Sequence, residues 1–333
     1  MAKVEWWGNA MKKHFRVFLL TVGLVFGAAV AEAQGRSERI GMLGPLEEPR
    51  FSEVRDGLQQ GLRDQGYAEQ AIEILEARVA RGDQEQVRTA VEGFLQQRIR
   101  VLVVIGSELA KLAREVSSEL PIVYLTPGDP VEQGLAASLA HPGGHTTAMT
   151  LDYPELAGKR LELVQEMLPR VRRVFILYDP RDGSSRQGAA TAREAASQLG
   201  LTLVERETRS RDDIARGLEA LAEVEAVLMI PGGLPTSHYA EIIRAANAKR
   251  VATMFHARTG STMEALVSYG ASEAEIARQL ARHVAKVLTG VKAGDLPVER
   301  PMKLELVINL KIAKQIDVTF PPEVLMRANR VLQ

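Results

Sequence analysis

Four short polar segments follow apolar runs in this sequence, at residues 106–107, 126–129, 179–185 and 231–233. The hydroxyl of Ser107 stands where a helix is predicted to begin, which suits either an anion such as a carboxylate or an ordinary helix cap. The carboxylate of Asp129 suits either a ligand ammonium group or an Asx turn within its own loop. These residue types predict recognition of a small polar solute.

The sequence carries none of the motifs that mark common catalytic centres. It has no G-x-S-x-G nucleophile turn, no H-E-x-x-H zinc motif, no G-x-G-x-x-G dinucleotide motif and no phosphate-binding P-loop. His141 and His145 flank a Pro-Gly-Gly turn, which favours loop positions over metal ligands. We therefore predict no catalytic residues, no metal site and no cofactor.

The polar segments require a scaffold that brings strand ends together, and the sequence supplies strand–helix alternation in two series. Strands of the first series are predicted at residues 40–44, 72–75, 101–105, 121–125 and 146–151. Strands of the second are predicted at residues 174–178, 201–205, 226–230, 251–255 and 265–269. This alternation predicts an α/β fold with two doubly wound lobes of parallel sheet, and ligands bind at the carboxyl ends of such strands.

Three segments are candidates for chain crossovers between the lobes: residues 150–154, 269–271 and 290–301. They predict one lobe from residues 34–150 plus 271–295 and another from residues 151–270 plus 296–333. Several crossovers would form a hinge beside a cleft between the lobes.

Composition excludes several classes of protein. The chain has 333 residues, with 42 Lys and Arg against 42 Asp and Glu and no cysteine. The zero net charge argues against binding to nucleic-acid phosphates. The missing cysteines exclude disulfides, thiolate metal sites and a cysteine-linked lipid anchor.

The amino terminus has the three parts of a secretory signal peptide. Basic residues at 12–16 precede an uncharged apolar run at 17–30, and an A-x-A site ends at Ala33. The run is too short to span a membrane. We predict cleavage near Ala33, a mature chain from Gln34 and a periplasmic location, whether Met1 or Met11 is the start.

Longer motifs resemble one protein family. These are the runs L-P-I-V-Y at 120–124, G-D-P-V at 128–131, G-L-A-A-S-L-A-H-P-G-G at 134–144 and E-L-A-G-K-R-L-E-L at 155–163. The runs D-L-P-V-E at 295–299 and L-V-I-N-L-K at 306–311 continue the pattern. Together they resemble the ABC transporter substrate-binding proteins of the type that includes tryptophan-binding members, over about residues 38–333.

The resemblance implies a type I periplasmic binding fold whose two lobes close on a small solute, with an amino acid or related small carboxylate as the expected ligand. It also implies a permease and an ATPase on other chains as partners, and we expect a monomer. Carried over by loop position, the implied ligand-binding residues are Phe51, Ser107, Thr126, Asp129, Asp179, Ser185, Gly232 and Tyr269.

Two other functions remain open at this point. The same fold serves as a periplasmic sensor that feeds a signalling receptor, and an exported two-lobed enzyme without a known motif is a further alternative. A DNA-binding repressor is excluded, because an export signal occupies the place of a helix-turn-helix.

Overall fold

The structure is a computed structural model that describes residues 37–46, 50–80, 82–151, 154–257 and 264–333. The predicted signal peptide at residues 1–33 lies outside these ranges. So do residues 47–49 of the first loop and residues 152–153 of the first crossover. Within the described ranges no helix combines the length and apolar character needed to cross a membrane.

The first lobe is built on a five-stranded sheet in the order β2-β1-β3-β4-β5, and every neighbouring pair is parallel. Its strands are β1 (Glu38–Pro45), β2 (Ile72–Val79), β3 (Val101–Ile105), β4 (Ile122–Thr126) and β5 (Thr146–Thr150). Its helices are α1 (Arg50–Asp64), α2 (Gln84–Gln96) and α3 (Ser107–Val116). Strands β3, β4 and β5 are buried along their whole length, as expected for a sheet covered on both faces.

The second lobe is built on a seven-stranded sheet in the order β12-β11-β10-β9-β8-β6-β7. Its strands are β6 (Arg173–Tyr178), β7 (Thr202–Glu207), β8 (Ala226–Leu228), β9 (Ala252–Phe255), β10 (Val267–Gly270), β11 (Glu305–Asn309) and β12 (Arg330–Leu332). Six helices accompany it or follow it in the chain: α4 (Ala157–Met167), α5 (Gly183–Leu199), α6 (Arg211–Gly217), α7 (Tyr239–Ala248), α9 (Leu310–Gln315) and α10 (Pro322–Arg327). The two-lobed α/β fold expected from strand–helix alternation is therefore present.

One edge of the second sheet differs from the expectation of purely parallel strands. Strand β11 pairs with β10 in the antiparallel direction, and β12 then pairs with β11 in parallel. Neither β11 nor β12 was expected as a strand. Strand β11 follows irregular chain, and β12 has only three residues, so neither gives a clear strand signal in the sequence.

The helix α8 (Glu273–Leu288) follows β10 of the second lobe in the chain but packs against α1 of the first. The two helices approach closely at two glycines of α1. A Cβ added to Gly57 would lie 2.8 Å from Cα of Ala274, and one added to Gly61 would lie 2.8 Å from Cα of Arg278. The chain therefore returns to the first lobe after building most of the second.

The third crossover lies against both α8 and β5. The amide of Glu299 donates to the carbonyl of Ala148 at 3.1 Å, and its own carbonyl accepts from the amide of Thr150 at 3.0 Å. The Glu299 carboxylate accepts from Arg282 Nη2 at 2.6 Å and from Gln279 Nε2 at 3.0 Å, both on α8. The third crossover thus runs beside the chain that leaves β5 for the second lobe.

Candidate ligand-binding cleft

Two adjoining cavities lie where the carboxyl ends of the two sheets face each other. The larger, called the outer chamber, has a volume of about 940 Å³ and is lined by residues such as Asp129, Asp179 and Arg181. The smaller, called the inner chamber, has a volume of about 80 Å³ and is lined by residues such as Arg50 and His256. Because Ser107 and two other residues line both, the chambers form one continuous cleft with an open mouth and a deep end.

Ser107 is placed in this cleft by a sharp turn after β3. The turn passes through Gly106, whose φ of 114° is unfavourable for any residue with a side chain. Helix α3 begins at Ser107, so the first backbone N–H groups of the helix lie beside the cleft without partners inside the helix. This arrangement favours a negatively charged ligand group near Ser107.

Asp129 lines the outer chamber on a loop that Thr126 holds in shape. One carboxylate oxygen of Asp129 accepts from the amide of Val131 at 2.7 Å, which is the Asx turn that the sequence left open. Buried Thr126 donates through Oγ1 to Oε1 of Gln133 at 2.8 Å and lines neither chamber. Asp129 therefore has a turn role and also faces the cleft.

Asp179 lines the outer chamber from the second lobe, and protein donors surround its carboxylate. Arg181 donates from Nε at 2.9 Å and from Nη2 at 2.8 Å, and the amide of Leu234 donates at 3.1 Å. Burial raises the pKa of Asp179, but the hydrogen bonds from Arg181 and Leu234 outweigh it and hold the pKa below its usual value. The charged carboxylate therefore fixes the loops after β6 and β8.

Ser185 and Gly232 complete this loop structure. Ser185 is buried, accepts from the amide of Asp179 through Oγ at 2.9 Å, and lines neither chamber. Gly232 lines the inner chamber with φ of 87°, and a Cβ there would lie 3.0 Å from Cγ of Asp182. Glycine is thus required where the loop after β8 meets the start of α5.

The remaining two residues expected in the site lie elsewhere. Phe51 is fully buried in the core beside Ile105 and lines neither chamber. Tyr269 lies at the end of β10, where its carbonyl oxygen accepts from Nε of the fully buried Arg160 at 2.8 Å. The structure therefore brings Ser107, Asp129, Asp179 and Gly232 to the cleft. Phe51, Thr126, Ser185 and Tyr269 lie behind its surface.

Several cleft residues were not expected from the sequence. Arg50 lies next to Phe51, which the family resemblance implied as a ligand-binding residue, and His256 directly follows β9. His256 could have been found by the same strand-end argument that selected Ser107. Tyr239, which also lines the inner chamber, begins helix α7 and carries no such signal in the sequence.

His256 belongs to a tightly packed aromatic group at the inner end of the cleft. Its ring stacks on Phe255 with centroids 4.3 Å apart, and Tyr239 meets both rings edge-on at 5.0 and 5.2 Å. The hydroxyl of Tyr239 donates to the carbonyl of Ile230 at 2.8 Å. These contacts fix the rings, so this part of the inner chamber has a rigid, largely apolar surface.

Burial and the positive charges of Arg160 and Arg50 hold the pKa of His256 well below its usual value of 6.5. A histidine that is neutral when folded takes up a proton more readily when unfolded, so stability falls as the pH drops below about 6.5. We expect the unfolding free energy to decline by roughly 1 kcal/mol per pH unit for this histidine between pH 6 and 5. His256→Gln should give a shallower decline in urea unfolding at pH 5, 6 and 7.5.

Buried His283 provides the comparison for this measurement, since burial also lowers its pKa. The double variant His256→Gln/His283→Gln should show the shallowest pH dependence of the series. Parallel curves for the wild type and His256→Gln would contradict the neutral state of His256 in the folded protein.

No group of three or more histidine, aspartate and glutamate side chains suited to a metal ion occurs in the described part of the chain. The cleft thus offers a helix amino end, the Arg50 guanidinium, carboxylates and an aromatic surface. These are groups for binding a small charged solute with an apolar part.

Comparison with known proteins agrees with this geometry. The profile of the family described as ABC transporter substrate binding protein matches residues 39–332. A tyrosine-binding protein of Clostridioides difficile (strain R20291) is 23% identical over 283 residues, which cover 85% of this chain and 81% of that protein.

Solved structures show the same fold. An ABC domain from Streptococcus pneumoniae in complex with L-Trp has a TM-score of 0.80 at 23% identity, covering 89% of this chain and 100% of that chain. A periplasmic binding ribose operon repressor protein from Lactobacillus acidophilus has a TM-score of 0.57 at 13% identity, covering 80% of this chain and 95% of that chain. The fold is that of the type I periplasmic binding proteins.

Proposed function

Because the chain belongs to the ABC transporter substrate-binding protein family, we propose that it is the periplasmic solute-binding component of an ABC-type uptake transporter. The observation that carries the proposal is the cleft itself. Strand ends of two sheets from separate lobes supply its walls, and polar groups such as Ser107 and Asp129 face into it. Such a site suits reversible capture of a small solute.

The proposed ligand is an amino acid or a related small carboxylate. The helix amino end at Ser107 and the Arg50 guanidinium are suited to a carboxylate, and Asp129 is suited to an ammonium group. The relatives named for tyrosine and L-Trp support this ligand class.

In the proposed mechanism no covalent bond changes. The solute binds one lobe, the lobes close about the crossovers, and contacts made only in the closed state stabilise that state. The lobes would comprise residues 34–150 plus 271–295 and residues 151–270 plus 296–333. The packing of α8 on α1 and the position of β11 in the second sheet support this division.

A contact across the cleft supports such closure. Nε2 of Gln133, in the first lobe, donates to Oγ of Ser184, in the second, at 3.1 Å. A Cβ on Gly128 would lie 2.8 Å from the same Ser184 oxygen, so a side chain at position 128 would displace this hydroxyl. The closed form would then be recognised by a permease driven by an ATPase on other chains, with this protein acting as a monomer.

The proposal is tested on protein purified from the periplasm. Intact mass should correspond to a chain that begins at Gln34, and native mass spectrometry should reveal any solute that copurifies. A thermal-shift screen of amino acids, small carboxylates, sugars and nucleosides should then give a concentration-dependent rise in Tm for at least one amino acid or carboxylate. Turnover of the bound compound would instead indicate an enzyme. Loss of signalling without loss of uptake in a deletion strain would indicate a sensor.

Substitution of the cleft residues gives a sharper expectation. Ser107→Ala and Asp129→Ala should each weaken binding of the solute found in the screen by roughly 10-fold, because each removes one polar contact. Without ligand, the Tm of Ser107→Ala should stay close to that of the wild type, and the Tm of Asp129→Ala should fall slightly because the Asx turn to Val131 is lost.

Calorimetric titration measures these affinities, and Glu92→Ala on the exposed surface of α2 serves as the control. Unchanged affinity in both cleft variants would show that the solute binds elsewhere.

A further inference from the structure

Arg50, the first residue of α1, places a guanidinium in the wall of the inner chamber. Its Nε and Nη2 atoms are buried, and neither has a hydrogen-bond partner among the described residues. The side chain as a whole retains 24% exposure. Burying a charged guanidinium without acceptors is unfavourable, so a negatively charged group bound at the exposed part of this side chain would stabilise it.

The protein compensates the charge of Arg50 only loosely. Oε1 of the buried Glu273 lies 3.9 Å from Nε of Arg50, which is beyond hydrogen-bond length. Glu273 therefore offsets part of the charge at a distance and does not accept a hydrogen bond from Nε. Arginine donors are suited to carboxylates because their planar fork matches the two oxygens.

The residues around Arg50 favour binding of the carboxylate end of a ligand. Among the described residues that line the inner chamber, Arg50 is the only lysine or arginine. The amino end of α3 lines the same chamber at Ser107, while Val79, Ile105 and Leu109 contribute apolar surface. The acidic residues Glu108 and Asp182 line both chambers and so lie where the two adjoin. A carboxylate near Arg50 would meet its guanidinium and the helix amino end.

The volumes of the two chambers set the orientation of the ligand. The inner chamber, at about 80 Å³, exceeds the roughly 10–15 Å³ that one water requires but has room for only a small group. The outer chamber is more than ten times as large, at about 940 Å³. The charged end of a solute therefore fits the inner chamber, and its variable part fits the outer chamber.

From these observations we propose that Arg50 determines specificity by binding the carboxylate of the solute in the inner chamber, so that solutes with a carboxylate are selected over solutes of similar shape that lack one. This inference rests on the proposed solute-binding function and assigns the ligand a required negative charge and an inward orientation. The charge pair is buried, so its loss affects affinity strongly.

The test compares matched solutes and matched variants by calorimetric titration. L-Tyrosine and L-tryptophan are paired with L-tyrosinamide and L-tryptophanamide, which lack the carboxylate, and benzoate is paired with benzyl alcohol. The variants are Arg50→Gln and Arg50→Lys. The control is Arg88→Gln, which removes an exposed arginine on α2.

The wild type should bind at least one carboxylate and bind the partner that lacks the carboxylate roughly 30- to 1,000-fold more weakly. The affinity of Arg50→Gln for that carboxylate should fall by a similar factor. The affinity of Arg50→Lys should lie between those of the wild type and Arg50→Gln, because lysine keeps the positive charge but lacks the planar set of donors. Arg88→Gln should bind as the wild type does.

Removal of Arg50 alone also leaves Glu273 without its neighbouring charge and so lowers stability for a structural reason. The double variant Arg50→Gln/Glu273→Gln removes both charges. It should recover the Tm of the ligand-free protein but not the affinity for the carboxylate. Recovery of both would show that Arg50 acts only on the structure, and the inference would be wrong.

The remaining outcomes separate this inference from the proposed function. A partner without the carboxylate that binds as tightly as the carboxylate itself, or an Arg50→Gln affinity within threefold of the wild type, overturns the role of Arg50 and leaves the solute-binding function intact. If a neutral sugar or nucleoside is the only ligand that binds, the role of Arg50 is likewise overturned and the solute-binding function is kept. If no solute of any class binds the wild-type protein, the proposed function fails and this inference fails with it.

Discussion

Replacing Arg160 by methionine is expected to lower the Tm by about 10 °C. Arg160 is fully buried in α4 and donates from Nε to the carbonyl of Tyr269 at 2.8 Å and from Nη2 to the carbonyl of His256 at 3.0 Å. These carbonyls end two adjacent strands that form the inner end of the cleft. Removing the guanidinium leaves buried acceptors unpaired, which costs about 3–5 kcal/mol, and each kcal/mol lowers the Tm by about 2–4 °C in a protein of this size.

The neighbouring residue provides the control for this measurement. Lys159 is about half exposed and its Nζ forms an i,i+3 ion pair with Glu162 at 2.7 Å, an interaction of little net value at a surface. Lys159→Met should therefore change the unfolding free energy by no more than about 0.5 kcal/mol. Equal Tm values for Arg160→Met and the wild type in calorimetric scans would contradict the structural role of Arg160.

Gly57→Ala should destabilise the protein by about 1–3 kcal/mol, although alanine is the better helix former. The Cβ of the alanine would lie 2.8 Å from Cα of Ala274, so α1 and α8 would have to move apart along their closest contact. The separation would also disturb the packing of α8 on the first lobe, to which it returns from the second. Urea unfolding of the ligand-free protein measures the effect.

Gly93→Ala is the matched control, because it makes the same substitution inside α2. A Cβ on Gly93 would meet nothing within 4 Å. With no clash, the helix propensity of alanine should stabilise the protein by about 0.5–1 kcal/mol. The two variants should therefore have effects of opposite sign. A stabilising Gly57→Ala would mean that the helices pack less closely than the structure shows.

The sequence identifies the family motif that ends at residues 141–144 but does not show what these residues do. In the structure the amide of Gly143 donates to the carbonyl of Gly294 at 3.0 Å. A Cβ on Gly294 would lie 2.6 Å from the carbonyl carbon of Gly143. The glycines allow the loop before β5 to pack against residues 290–301, and residues 141–144 line neither chamber of the cleft.

The candidate site was predictable in part. Strand ends located Ser107 and Asp129, because a run of buried residues followed by a turn is a local pattern. The family resemblance implied Phe51 as a ligand-binding residue, but its neighbour Arg50 lines the cleft instead, and this was not predictable from the sequence. Adjacent side chains point in different directions on a helix, and the start of α1 fixes which of them faces the core.

The sequence by itself determined the fold class, the positions of most strands, and the family through its longer motifs, because periodicity and turn residues are encoded over short stretches of chain. The tertiary structure decided which lobe α8 joins, how the edge strands β11 and β12 pair, and which polar side chains reach the cleft. Those outcomes depend on contacts between segments far apart in the chain, such as Arg50 with Glu273 and Arg160 with Tyr269. No local pattern records such contacts, since they form only when the packed core has set the position and direction of each side chain.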